Sequence, residues 1–155
     1  MTTVRAAGPA DAGVVGRMLA DFNAEFETPG PAAGEFARRL TGMLDRPDLL
    51  VLLAETAGEA TGFLSAAFRP SLYYDGPVAA VEDFYVIPDR RGGGIGGAIM
   101  DAFLAECGVR GCGEIQIGVD SPDAGARRFY ERYGFTCVEP GSDDAMLLYL
   151  RVLAP

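Results

Sequence analysis

This chain predicts a mixed α/β sheet with helices on both faces. Three observations carry that prediction. Val14, Val15, Met18, Leu19, Phe22 and Phe26 recur at helical spacing near the start. Two apolar runs, Leu49 to Ala54 and Gly62 to Phe68, flank Ala57-Gly58-Glu59 and read as a hairpin. A third run, Val78 to Ile87, leads through a glycine-rich turn into an apolar helix. Meander strands followed by strand–helix–strand units make a mixed sheet of this kind.

The elements follow in order. Thr3 to Ala7 is a short strand. Pro9-Ala10-Asp11 starts the first helix, with Pro and Asp in its first turn. Thr28-Pro29-Gly30-Pro31 breaks it, and a second helix runs from Ala32 to Leu44 on a stripe of Phe36, Leu40 and Leu44. Arg46-Pro47-Asp48 turns into the hairpin, and Pro70 to Pro77 forms a loop holding Tyr73 and Tyr74. After the long strand come a helix over Ala98 to Cys107 and a strand over Gly113 to Val119. A helix from Ser121 to Tyr133 follows, with Ser121 as N-cap, and strands over Phe135 to Val138 and Ala145 to Val152 complete the sheet. No repeat or linker interrupts the chain, and residues 1–155 read as one domain.

Composition prunes the chemistry. The formal charge of −9 argues against nonspecific nucleic-acid binding, which needs clustered cations. It is compatible with a cationic small molecule, though on net charge alone solubility is the first reading. No apolar run reaches the ~18 residues of a membrane span, and Pro9 and Asp11 interrupt any early signal region, so a cytoplasmic address is expected. The chain has no His, no Lys and no Trp. That excludes Ser-His and Cys-His relays, His-based metal sites, Schiff bases and the P-loop lysine. A general base must be a carboxylate, Tyr, Cys or water, and no metal is expected. Cys107, Cys112 and Cys137 read as reduced, mostly buried thiols.

Five of the six residues from Gly92 to Gly97 are glycine. Such a turn lets backbone N–H groups approach an anion, and a following helix start adds roughly half a positive charge. Gly92-x-Gly94-x-x-Gly97 formally fits a dinucleotide fingerprint. Against that reading, Pro88-Asp89-Arg90-Arg91 separates strand from glycines, and too little chain follows for a doubly wound domain. In another register the segment is Arg91-x-x-Gly94-x-Gly96. A second motif lies one strand later, Asp123-Ala-Gly-Ala126-Arg-Arg-Phe129-Tyr130-Glu-Arg-Tyr-Gly134-Phe135. The two resemble, in order, the R/Q-x-x-G-x-G/A loop and the N-x-x-A-x-x-F-Y-x-x-x-G-F motif of the GCN5-related N-acetyltransferases (GNAT). Asp123 stands where that family usually has Asn, and it is not assigned as a cofactor contact.

The resemblance implies a GNAT fold, α/β of the α+β kind. Its mixed central sheet would have six to seven strands and about four helices, with a bulge in the fourth strand and a splay between the fourth and fifth. It implies acetyl-CoA as co-substrate, with backbone groups of Phe84, Tyr85 and Val86 pairing with pantetheine and the Val86 N–H as oxyanion donor. Gly92, Gly93, Gly94, Ile95, Gly96 and Gly97 would hold the pyrophosphate, with Arg91 adding charge from the rim. Tyr130 aligns with the tyrosine that protonates the departing thiolate. Glu82 and Asp83 sit just before the pantetheine stretch, and Glu-Asp-Phe-Tyr-Val looks like the motif of diamine and polyamine acetyltransferases. Glu82 is expected as base or water anchor, Asp83 as amine-binding or structural. Phe22, Asn23, Glu25 and Phe26 would wall the acceptor site, which suits a cationic amine; a solvated helix end fits the same residues. Tyr73 and Tyr74 would line the pocket or an ordinary surface loop. The expected reaction is acetyl transfer to a primary amine of a small cationic acceptor, by direct attack in a ternary complex, with neither nucleic acid nor membrane as partner. Alternatives are an aminoglycoside or protein N-terminal acceptor, or a non-catalytic acyl-CoA-binding sensor. A homodimer is expected by resemblance alone.

Overall fold

A computed structural model of the chain describes residues 1–154. They form two compact units, residues 1–117 and the remainder from Gly118. The first unit holds β1 (Thr2–Ala6), α1 (Ala12–Glu25), α2 (Ala33–Thr41), β2 (Leu49–Thr56), β3 (Glu59–Arg69), β4 (Val78–Val86), α3 (Ile95–Val109) and β5 (Glu114–Ile117). The second holds α4 (Ala124–Arg132).

The strands lie in sequence order, β1-β2-β3-β4-β5. All neighbours are antiparallel except β4 and β5, which run parallel from Val78↔Glu114 to Val81↔Ile117. Alternation sorts the side chains between two faces. On one, Val51, Leu53, Phe63 and Tyr85 meet Val15 and Met18 of α1. On the other side α3 packs across β1 to β4 with Ile99, Met100 and Phe103 fully buried, burial that contributes roughly 1.5–3 kcal/mol for each such side chain. Gly16 lets α1 approach α2 closely, since a Cβ there would sit 2.8 Å from the Ala33 carbonyl oxygen and 2.9 Å from the Ala37 nitrogen.

Several expectations are corrected. Five strands form among the described residues, not six to seven. Phe135 to Val138 and Ala145 to Val152 form no strand: the single bridge Val138↔Ala145 joins them, and no ladder continues beyond it. Apolar strand formers need a hydrogen-bonded neighbour before they are a strand. The helix expected from Ala98 starts three residues earlier. Gly94, at φ +88°, is its N-cap and the glycines after it wind into its first turn. α2 stops at Thr41, and a turn continues from there through Leu44. α4 starts at Ala124, capped by Asp123 rather than Ser121. Cys107 is buried, whereas Cys137 is exposed. Among the described residues no helix is long and apolar enough to cross a membrane.

Candidate active site

The site is built on the far half of β4. Its ladder with β5 ends at Val81, and β4 continues through five more residues. Ser65 pairs with Asp83 and Ala66 with Val81, which leaves Glu82 as the extra residue of a β-bulge. Past the bulge the Ile87 N–H donates to the Thr61 carbonyl at 3.0 Å. In an antiparallel pair the hydrogen-bonded positions alternate. Tyr85, directly opposite Phe63, therefore turns its own backbone toward β3. Phe84 and Val86 turn theirs to the side where β5 has ended. This puts the backbone groups of Phe84 and Val86, and not those of Tyr85, on the side of β4 away from β3.

Asp83 and Tyr85 share the face covered by α1. Asp83 is half-buried and accepts a 2.7 Å hydrogen bond from the Ser65 hydroxyl. Burial raises its carboxyl above the ordinary carboxylate range, and the Ser65 bond partly opposes that. Glu82 is exposed at the bulge. Tyr85 is buried edge-on against Phe22 of α1, with ring centroids 5.3 Å apart, and Phe22 in turn meets Phe26 at 5.3 Å. Burial, with Asp21 and Glu25 nearby, raises the Tyr85 phenol. Asn23 is half-buried beside the turn that ends α1, where its carbonyl accepts from the Thr28 N–H at 2.8 Å.

After β4, a 3₁₀ turn at Pro88–Arg90 leads to Arg91 and the glycines. Gly92 and Gly94 have φ of +78° and +88°, conformations that L side chains rarely adopt. Gly93 has an ordinary φ, and a Cβ there would meet only the Arg90 carbonyl, at 3.6 Å. The protein's own packing thus leaves room for a side chain at 93. Next comes the start of α3, where the Ile95 and Gly96 N–H groups have no carbonyl within the helix to bond. Two left-handed glycines before a helix start turn backbone N–H groups toward one side, a geometry able to accept an anion. Arg91 places its guanidinium at the rim: Nη1 and Nη2 donate to both Glu25 carboxylate oxygens at 2.7 Å, and Nε donates to the Val86 carbonyl at 2.8 Å. That pair holds the Glu25 carboxyl below its usual range.

Tyr73 and Tyr74 lie elsewhere, on an open hollow lined with Leu72, Asp75 and Gly113. The Tyr74 hydroxyl donates to Glu114 at 2.8 Å, where β4 and β5 begin, and Tyr73 is exposed. The structure does not bring them to Phe22 and Asp83.

In the second unit, Asp123 caps α4 by accepting from the Ala126 N–H at 3.0 Å. This gives the acidic residue at the family's Asn position a structural task. Tyr130 is buried between Phe129 and Phe135, with ring centroids at 5.5 and 5.8 Å. Burial, helped by the Asp123 charge, pushes its phenol up to about 12. Among the described residues no group of His, Cys, Asp and Glu is arranged to hold a metal.

Residues 16–135 match the acetyltransferase (GNAT) family. The chain is 32% identical over 104 residues to the aminoglycoside N(6')-acetyltransferase type 1 of Klebsiella aerogenes, covering 66% of this chain and 68% of that one. It is 32% identical over 129 residues to the thialysine N-epsilon-acetyltransferase of Mus musculus, covering 76% and 74%. A crystal structure from Arthrobacter sp. FB24 superposes with a TM-score of 0.89 at 44% identity, over 97% of this chain and 96% of that one.

Proposed function

The chain belongs to the acetyltransferase (GNAT) family and is an acetyl-CoA-dependent N-acetyltransferase; from that premise we propose that its acceptor is a small cationic amine, held against Asp83 and the acidic end of α1. The observation that carries the reading is the half-buried Asp83 carboxylate, fixed by Ser65 on the face that also presents Phe22 and Tyr85. A carboxylate there holds an ammonium group and takes its proton as the amine attacks. Asp83 is the preferred base; Glu82, on the bulge, is the second candidate. Phe22 and Phe26 supply the apolar and cation–π wall.

The residues present fit acetyl-CoA. Gly92 to Gly97 and the start of α3 would hold its diphosphate, and Phe84 and Val86 its pantetheine arm. Acetyl-CoA, when bound, supplies a thioester that is activated for acyl transfer. The Val86 N–H is the proposed donor to the carbonyl oxygen as negative charge develops there. Tyr130 is the proposed donor to the departing sulfur, a role supported by its place in the second motif and by its being protonated at neutral pH. The acidic charge of the chain, −9 overall, is compatible with a cationic acceptor. An aminoglycoside is one cationic amine of the proposed class, and it is the second reading because a relative of that specificity covers two thirds of the chain.

Gly93 tests the cradle directly. G93A has room in the protein's own structure, so its melting temperature should match that of the unsubstituted chain. Its affinity for acetyl-CoA in calorimetric titration should fall at least tenfold, because the added methyl meets the diphosphate. Unchanged affinity would remove the glycine turn from cofactor binding.

A further inference from the structure

Arg91 belongs to two places at once. It immediately precedes the glycine turn, yet its guanidinium is spent on Glu25, 66 residues away at the end of α1, and on the Val86 carbonyl. It also lies 5.6 Å from the centroid of the Tyr85 ring. The pair spans from the phosphate cradle to the acceptor wall. Both side chains keep access to water, at 43% and 28% exposure, so the pair can exchange partners without unfolding anything. Glu25 stands where a carboxylate is least favoured, at the C-terminal end of a helix whose carbonyls already carry negative charge. Such a placement is tolerated while Arg91 neutralises it.

We propose that Arg91 and Glu25 form a latch that couples the two ligands: a diphosphate at the glycine turn draws Arg91 off Glu25, and the released carboxylate then receives the cationic amine. The inference rests on the reading of the glycine turn given above. Arg91 would touch the diphosphate directly, and its effect on the amine passes through Glu25. A diphosphate offers the same bidentate geometry as a carboxylate with more charge, so it competes well for a guanidinium one residue from Gly92. Before the exchange, an incoming ammonium group must displace Arg91; afterwards it meets an unpaired carboxylate at a helix end. Coupling of this kind is reciprocal, so the amine raises the affinity for the diphosphate ligand by the same factor.

The test is calorimetric titration of the full chain with spermidine, alone and with saturating desulfo-CoA, which carries the diphosphate but cannot react. The expected result is spermidine binding at least fivefold tighter in the presence of desulfo-CoA. R91Q should bind spermidine equally in both conditions, at the tighter value, and R91K should keep part of the coupling. E25Q should bind it weakly in both. Equal spermidine affinity in the two conditions with desulfo-CoA bound overturns the latch and leaves the cofactor reading intact, as does R91Q that keeps full coupling or no spermidine binding in either condition. If desulfo-CoA itself fails to bind, the reading of the glycine turn falls and the latch falls with it.

Discussion

Replacing Asp83 by Asn should lower turnover about a hundredfold or more while leaving the fold at least as stable at neutral pH. The first part follows from the base role, since a positioned proton acceptor contributes on the order of 10²–10⁴ in rate. The second follows from burial. The fold raises the Asp83 carboxyl above its ordinary value, so the protonated form is favoured more in the folded than in the unfolded chain. Its contribution to stability is complete below the unfolded value, about 3.9, and is lost as pH rises through the folded value. At pH 7 the charged carboxylate is therefore a cost that Asn removes, while the Asn side-chain oxygen still accepts from Ser65. The melting temperature of D83N should equal or exceed that of the unsubstituted chain at pH 7, and the difference should shrink below about pH 4. The acidic limb of kcat/KM should lie above the usual carboxylate range and disappear in D83N. If E82Q loses turnover and D83N does not, the base is Glu82.

The second large effect is expected at Tyr130. Y130F should lose about a hundredfold in turnover with unchanged affinity for acetyl-CoA in equilibrium titration. Tyr130 is buried, and its phenol is held at about 12, first by burial and then by Asp123. It is therefore protonated throughout the working range. A phenol so weak in acidity steadies a departing thiolate by donating a hydrogen bond and gives up its proton only as the sulfur takes it. Because its folded value is raised, Tyr130 supports the fold fully below about pH 10 and loses that support as pH rises toward about 12. The activity profile should show no alkaline limb from Tyr130 below pH ~10. Loss of acetyl-CoA binding in Y130F, in place of lost turnover, would make Tyr130 a packing residue of its unit.

What could be read in the sequence was what local geometry imposes. Gly92 and Gly94 announced themselves because positive φ strongly favours glycine, and the hairpin around Gly58 because two apolar runs flank a turn. The stripe through Val15, Met18 and Phe22 set which side of α1 meets the sheet. What stayed hidden was set by partners distant in sequence. The position of the bulge at Glu82 is a matter of register between β3 and β4, and an unpaired residue leaves no mark on a strand read alone. Ser65 gave no reason to look toward Asp83, nor Glu25 toward Arg91. Tyr73 and Tyr74 precede the central strand in the chain, but they enter at its opposite end. Met146 to Val152 has the composition of a strand, but composition does not supply the neighbour that would make it one. Asp123, which departs from the family's usual Asn, is a helix cap.

The measurement that bears most directly on the account is acetyl-CoA-dependent thiol release across diamines, polyamines, amino acids, aminoglycosides and short peptides, with the N-acetylated product identified by mass. The account predicts release that requires an acceptor with at least one further positive charge, and that falls at least tenfold in D83N for the same acceptor. Acetyl-CoA binding with no release on any cationic amine, or equal release on uncharged and cationic acceptors, would contradict it.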